Sequence, residues 1–179
     1  MLRSHGIIHD EAHDAVLSYT RQCSILVTTR DLAVMSATLA TGGVQPVTGE
    51  RLLTSEVCRR TLAVMSSSGM YDGAGRWMAG VGIPAKSGVA GGLIGTLPGQ
   101  LGIATFSPRL DSSGNSVRGV KIFERLSREM GLHLMAADHH SVPGVRSITR
   151  DGDSTVIRLQ GTINFTAAEN ILHELGSHK

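Results

Sequence analysis

Apolar residues recur first at helical spacing, then at strand spacing, along the chain. Over 9–22, HDEAHDAVLSYTRQ, residues Ala12, Val16 and Tyr19 fall on one side, with acidic residues early and Arg21 late, as a helix dipole favours. Thr28 with Asp31 three residues on forms a capping-box pattern with a shortened acid. Leu32, Met35 and Leu39, with the small Ser36 beside them, then give an apolar helical stripe that Gly42-Gly43 stops. VQPVTGE is turn chemistry, and Thr54 opens the next helix, TSEVCRRTLAVMSSSG, ended by Gly69. MYDGAGRWMAGVGIPAKSG reads as a glycine-rich surface stretch. VAGGLIGTL and QLGIATFS, on either side of Pro98-Gly99, predict a hairpin. In SVRGVKIFERLSREMG, residues Val117, Val120, Phe123, Leu126 and Met130 recur every three or four positions up to Gly131.

Helices, a hairpin and another helix predict an α/β (α+β) fold in which helices cover an antiparallel sheet, not alternating βαβ units. AADHHSVPG, 136–144, reads as a linker. VRSITRDGDSTVIRLQG reads as strand, Asp-Gly turn, strand, and a helix starts at Thr166. Two strands and one helix bury too little surface to stand alone, so 145–179 is expected to open a second, incomplete domain.

Composition narrows the function classes. The chain has 179 residues, 41% of them hydrophobic and 18% charged, with a formal net charge of +2 and no block of like charges. That balance argues against nucleic acid and membrane surfaces as partners. No run of about 18 apolar residues occurs and the start has no apolar signal region, so a cytoplasmic location is expected. Cys23 and Cys58 form no C-x-x-C and read as buried free thiols. His139-His140 lacks an acidic or Cys partner at ligand spacing, and no cofactor or metal is expected. Neither phosphate-binding glycine motif follows a strand, which excludes a nucleotide-binding module of those types.

The three lysines are Lys86, Lys121 and Lys179, against 14 arginines. Lys86 lies in GIPAKSGVAGG, where the backbone is barest. Glycine admits close approach of a substrate, exposed N–H groups can face an anion, and the lysine adds charge. K-[ST]-G on a strand edge is one of three signatures of the penicillin-binding-protein and class A β-lactamase superfamily, beside S-x-x-K and S-D-N. The triplet by itself fits a solvated turn lysine better.

Longer segments add to it. YTRQCSILVTTRDLAVMSATLATGGVQPVTGERLL, SSGMYDGAGRWMAGVGIPAKSGVAGGLIGTLPGQLGIATFSPRLDSSGNSVRG and LSREMGLHL resemble, nearly segment by segment, the C-terminal part of the bacterial and animal glutaminase family. The resemblance spans roughly 9–135, and SGMYD and PAKSG in this order are specific. It implies a serine β-lactamase-like fold and hydrolysis of L-glutamine to L-glutamate and ammonia through a serine acyl-enzyme. Tyr19 matches a substrate-contacting tyrosine, and Tyr71 an active-site tyrosine able to relay a proton or hydrogen-bond the nucleophile. Lys86 matches the lysine of the triplet, and Val89 the residue whose N–H helps bind the oxyanion. From Val145 the tail, with LQGTINFTAAE, resembles the opening of a STAS domain.

The family mechanism uses a serine with a lysine one helical turn on. No serine here has a lysine three positions later. SGN at 113–115 follows K-S-G instead of preceding it and reads as a loop turn. Residues 1–135 are therefore expected to be the C-terminal part of a glutaminase domain, inactive alone and exposing an apolar face; the complete enzyme is expected to be a homo-oligomer. The alternative is a non-catalytic regulatory or oligomerising remnant whose STAS-like segment binds a partner.

Overall fold

A computed structural model describes residues 1–136, 144–152, 154–161, 163 and 165–177. The elements run α1 (Ala12–Cys23), α2 (Thr29–Ala40), α3 (Ser55–Ser68), a 3-10 turn (Tyr71–Gly73), α4 (Ala74–Gly80), β1 (Ala85–Ser87), β2 (Gly92–Leu97), β3 (Leu101–Phe106), α5 (Val117–Met130), β4 (Val145–Asp151), β5 (Ser154–Leu159) and α6 (Phe165–Ser177). β1, β2 and β3 form an antiparallel sheet in that order, and β4 and β5 form a separate antiparallel pair.

Local chemistry explains the boundaries. At the start of α2 the Thr28 hydroxyl accepts from the Asp31 N–H at 3.2 Å, while the Thr28 N–H donates to the Asp31 carboxylate at 2.8 Å. Two of the N–H groups that a helix start leaves without an intrahelical partner are thereby satisfied. The Thr28 N–H, and then its hydroxyl, hold the Asp31 carboxyl below its ordinary value. Because the folded value is depressed, this contribution is complete above about pH 4 and is lost as pH falls through the folded value. Thermal melts from pH 7 to pH 2.5 should therefore show a loss of stability at the acid end that is smaller in Asp31→Asn; equal acid sensitivity of both chains would contradict it.

α2 crosses the sheet at close range. A methyl group added at Gly102 of β3 would lie 2.1 Å from the Ala37 nitrogen, so only glycine admits the helix here. This closeness changes which face of α2 is inside. Ser36, Thr38 and Ala40 are buried, whereas Met35, expected in the apolar stripe, is half exposed. Ser36 is satisfied: its hydroxyl donates to the Gly95 carbonyl at 2.6 Å and shares a 2.8 Å bond with the Thr96 hydroxyl.

The core lies on the other side of the sheet. Phe123 of α5, fully buried, fills the space above Gly95, where an added methyl group would come within 2.3 Å of its ring. The Trp77 ring packs against it at 5.5 Å between centroids, tilted by 52°, and the indole N–H donates to the Ile83 carbonyl at 2.6 Å. Met70, Ala74, Val81, Ile83, Ala85, Leu93, Leu97 and Leu132 complete the cluster.

The stretch expected to be glycine-rich surface is thus largely core. Its buried residues Met70, Ala74, Trp77 and Val81 stand at helical spacing. Gly73, Gly75 and Gly80 interrupt the apolar pattern, and the seven residues of α4 are too few to make it stand out.

The predicted hairpin forms, with Leu97 opposite Leu101 across the Pro98-Gly99 turn and Gly99 at φ 72°. α5 starts on Ser116, whose hydroxyl accepts from the Gly119 N–H at 3.1 Å, and ends on left-handed Gly131 at φ 65°. Gly69 ends α3 for a different reason. Its φ is −66°, an ordinary helical value, but an added methyl group would overlap the Ala85 carbonyl at 1.7 Å.

In the C-terminal part, the Asp-Gly turn between β4 and β5 has Gly152 at φ 57°. α6 begins at Phe165, one residue before the expected start, buries Ala167, and sets Phe165 against the core cluster. His139-His140 and all but the two ends of the expected linker 136–144 lie outside the described residues. Both thiols are free; Cys58 is buried as expected, but Cys23 is exposed because α1 buries none of its residues. Ile25 and Leu26, just after α1, are 64% and 98% exposed. No helix among the described residues is long and apolar enough to cross a membrane.

Candidate active site

β1 is a three-residue strand fixed on both sides. It pairs with β2 through Ala85–Gly95, Lys86–Ile94 and Ser87–Leu93. On its other side the Ser87 N–H donates to the Gly69 carbonyl at 3.0 Å, the contact that the bare Gly69 allows. Strand alternation buries Ala85 and Ser87 and turns Lys86 outward.

Lys86 meets Tyr71 there. The ammonium lies 4.7 Å from the centre of the Tyr71 ring and donates to the Ser87 carbonyl. The Tyr71 hydroxyl donates to the same carbonyl at 3.1 Å. One backbone oxygen therefore gathers the phenol and the ammonium side by side. Tyr71 comes from the short turn after α3, with φ 53°, the only described residue other than glycine in left-handed backbone.

Beyond Ser87 the chain reverses. The Gly88 N–H donates to the Gly92 carbonyl, and the Gly91 N–H to the Gly88 carbonyl, both at 2.9 Å. This is a three-residue hairpin loop with Val89 and Ala90 at its corners and Gly91 left-handed at φ 98°. The Val89 side chain is exposed, and its N–H has no acceptor among the described residues. Tyr71 and Lys86 thus meet at the end of β1, and Val89 lies in the loop that follows it.

Tyr19 is not brought to this group. It is exposed on α1, and its partner is Cys23, whose hydrogen bond pushes the phenol above its ordinary value. Asn115, read from sequence as part of a loop turn, is buried and its side-chain amide donates to the Met70 carbonyl at 3.3 Å. Its place ahead of the Ser116 cap of α5 is the signal that could have singled it out. Among the described residues no three His, Cys, Asp or Glu side chains are grouped to hold a metal.

Residues 1–135 match the glutaminase family model. The chain belongs to the glutaminase family. The glutaminase of Corynebacterium glutamicum is 68% identical over 178 residues, covering 99% of this chain and 43% of that protein. The glutaminase of Corynebacterium efficiens is 65% identical, with 99% and 42% covered. A crystal structure of Mglu superposes with a TM-score of 0.74 at 56% identity, over 98% of this chain and 44% of that one. The Bacillus subtilis glutaminase YbgJ, solved as a covalent complex with 5-oxo-L-norleucine, gives a TM-score of 0.72 at 31% identity, over 74% of this chain and 48% of that one. The helices and antiparallel sheet are those of the β-lactamase-like fold of these glutaminases. This chain spans less than half the length of these relatives.

Proposed function

We propose that these residues form one wall of a glutaminase active site, which hydrolyses L-glutamine to L-glutamate and ammonia. The observation that carries this reading is the phenol and the ammonium meeting on the Ser87 carbonyl, two residues before a Val89 N–H that has no acceptor among the described residues. A serine oxygen, not among these 179 residues, attacks the side-chain carbonyl carbon of glutamine. The carbonyl oxygen gains negative charge, and the Val89 N–H faces it. Lys86 adds positive charge nearby. The carbon–nitrogen bond then breaks and ammonia leaves with the proton taken from the serine, for which the Tyr71 hydroxyl is the relay. Water adds to the resulting ester, releasing glutamate and the serine. The covalent 5-oxo-L-norleucine complex of the Bacillus subtilis enzyme and the glutamate form of Mglu support this chemistry.

Tyr19 enters the proposal as a substrate contact in the complete enzyme, through α1, whose solvent-facing Val16 and following Ile25 and Leu26 support packing against further protein. That protein is the rest of the domain or another copy in a homo-oligomer. The separate β4–β5 pair, and a family match that stops at residue 135, support a domain boundary at 136–144 and a STAS-like unit from Val145.

The test is a chimaera in which this chain replaces its matching segment in the Corynebacterium glutamicum glutaminase. It should release ammonia from glutamine, and Tyr71→Phe should lower kcat by about a hundredfold or more. Parent-like kcat in Tyr71→Phe would remove the phenol from the mechanism.

A further inference from the structure

Tyr71 stands in backbone that a side chain of its size rarely adopts, so its surroundings must hold it there. The Met70 carbonyl and the Tyr71 nitrogen share one planar peptide. Fixing that carbonyl therefore fixes the plane from which the Tyr71 backbone turns. Two donors fix it: the Gly73 N–H at 3.1 Å, within the turn itself, and the Asn115 side-chain amide at 3.3 Å, from 45 residues away.

The loop carrying Asn115 is itself tightly set. The Asp111 carboxylate accepts from the Ser113 and Asn115 N–H groups, each at 2.9 Å, and the Asp111 N–H donates to the Asn115 carbonyl at 2.8 Å. The next residue, Ser116, caps α5 and is buried. Gly114, at φ 85°, lies beside the Tyr71 ring, where an added methyl group would be 3.6 Å from two ring carbons. The loop thus passes beside the Tyr71 ring and holds the peptide before it. The buried Asn115 oxygen has no partner among the described residues, so the nitrogen's bond is the contact this side chain makes. Only the NH2 group can face a carbonyl, which settles the orientation of the amide.

We propose that Asn115 is a positioning residue for Tyr71, holding the Met70–Tyr71 peptide so that the phenol stays on the Ser87 carbonyl beside Lys86. This rests on the reading of Tyr71 as part of a glutaminase site, but its placement can be measured separately. The chain has two tyrosines and one tryptophan. With ring-labelled tyrosine, Asn115→Asp, which keeps the shape and removes the donor, should shift or split the Tyr71 signals and leave those of Tyr19 in place. Trp77 emission reports that the core is intact, and Ser113→Ala, which keeps every backbone bond of the loop, should change neither tyrosine. Asp111→Ala, which frees the loop, should move Tyr71 in the same way. Unmoved Tyr71 signals in the folded variants overturn the proposal.

The unsubstituted chain gives an independent measurement, needed if the variants unfold. The Asn115 amide protons should exchange with water about tenfold or more slowly relative to those of exposed Asn170. Equal exchange means that the tie to Met70 does not hold, and the proposal fails. In the chimaera, Asn115→Asp should lower kcat by about a hundredfold with KM changed less than about twofold, as misplacement of a reacting group does. If the Tyr71 signals move but Tyr71→Phe leaves kcat intact, the catalytic reading falls and the positioning role stands.

Discussion

Purified alone, the 179-residue chain should release no ammonia from L-glutamine above a Lys86→Ala control. None of its serines has a lysine three positions on, so the activated nucleophile of the proposed mechanism is absent from these residues. In the proposed mechanism the residues present here stabilise a developing oxyanion and move a proton, and a serine outside them begins the attack. Removing the nucleophile from a serine-dependent unit costs on the order of a million-fold in kcat, far below the reach of an ordinary coupled ammonia assay. The active chimaera is the positive control under the same conditions. Turnover by the chain alone, sensitive to Lys86→Ala, would show that a serine among these residues does the work and would require a different mechanism.

In the chimaera, Gly91→Ala should lower kcat by about a hundredfold to a thousandfold, the size of a lost oxyanion donor. Gly91 is left-handed at φ 98°, and the added methyl group would lie 2.4 Å from the Ser107 carbonyl oxygen and 2.6 Å from the Pro108 Cα. Both obstacles are backbone, and the Ser107 N–H is bonded to the Gly91 carbonyl at 2.9 Å, so neither side yields easily. The loop must open instead, and the Val89 N–H turns with it. Because charge on the oxygen grows only as the reaction proceeds, KM should change much less than kcat. Steady-state kinetics and a thermal melt on the same variant separate this from unfolding. A Gly91→Ala enzyme with parent-like kcat would remove the Val89 amide from the oxyanion site.

Where residues act through near neighbours, the sequence reading and the structure agree. The Thr28–Asp31 box, the Pro98-Gly99 hairpin and the Ser116 to Gly131 span of α5 depend on bonds made within a few residues. K-S-G and GMYD were recognisable as motifs, and the structure brings Lys86 and Tyr71 together. Tertiary packing decided the rest. Met35 turned outward because Gly102 lets α2 approach along Ser36 instead. Met70, Ala74 and Trp77 became core because β1 and α5 close over a segment too short to reveal its period. Cys23 and Tyr19 face solvent because α1 buries none of its residues. The tie from Asn115 to Met70 crosses 45 residues, a distance over which no local pattern speaks.

The Ser87 carbonyl has a bearing on how this site is lost. Its oxygen takes both the phenol and the ammonium, while the nitrogen of the same peptide, Gly88, closes the loop that displays the Val89 amide. A rotation of that one rigid plate releases all three groups together. Gradual softening of the protein should therefore leave the arrangement whole until the plate swings, and then dismantle it in a single event.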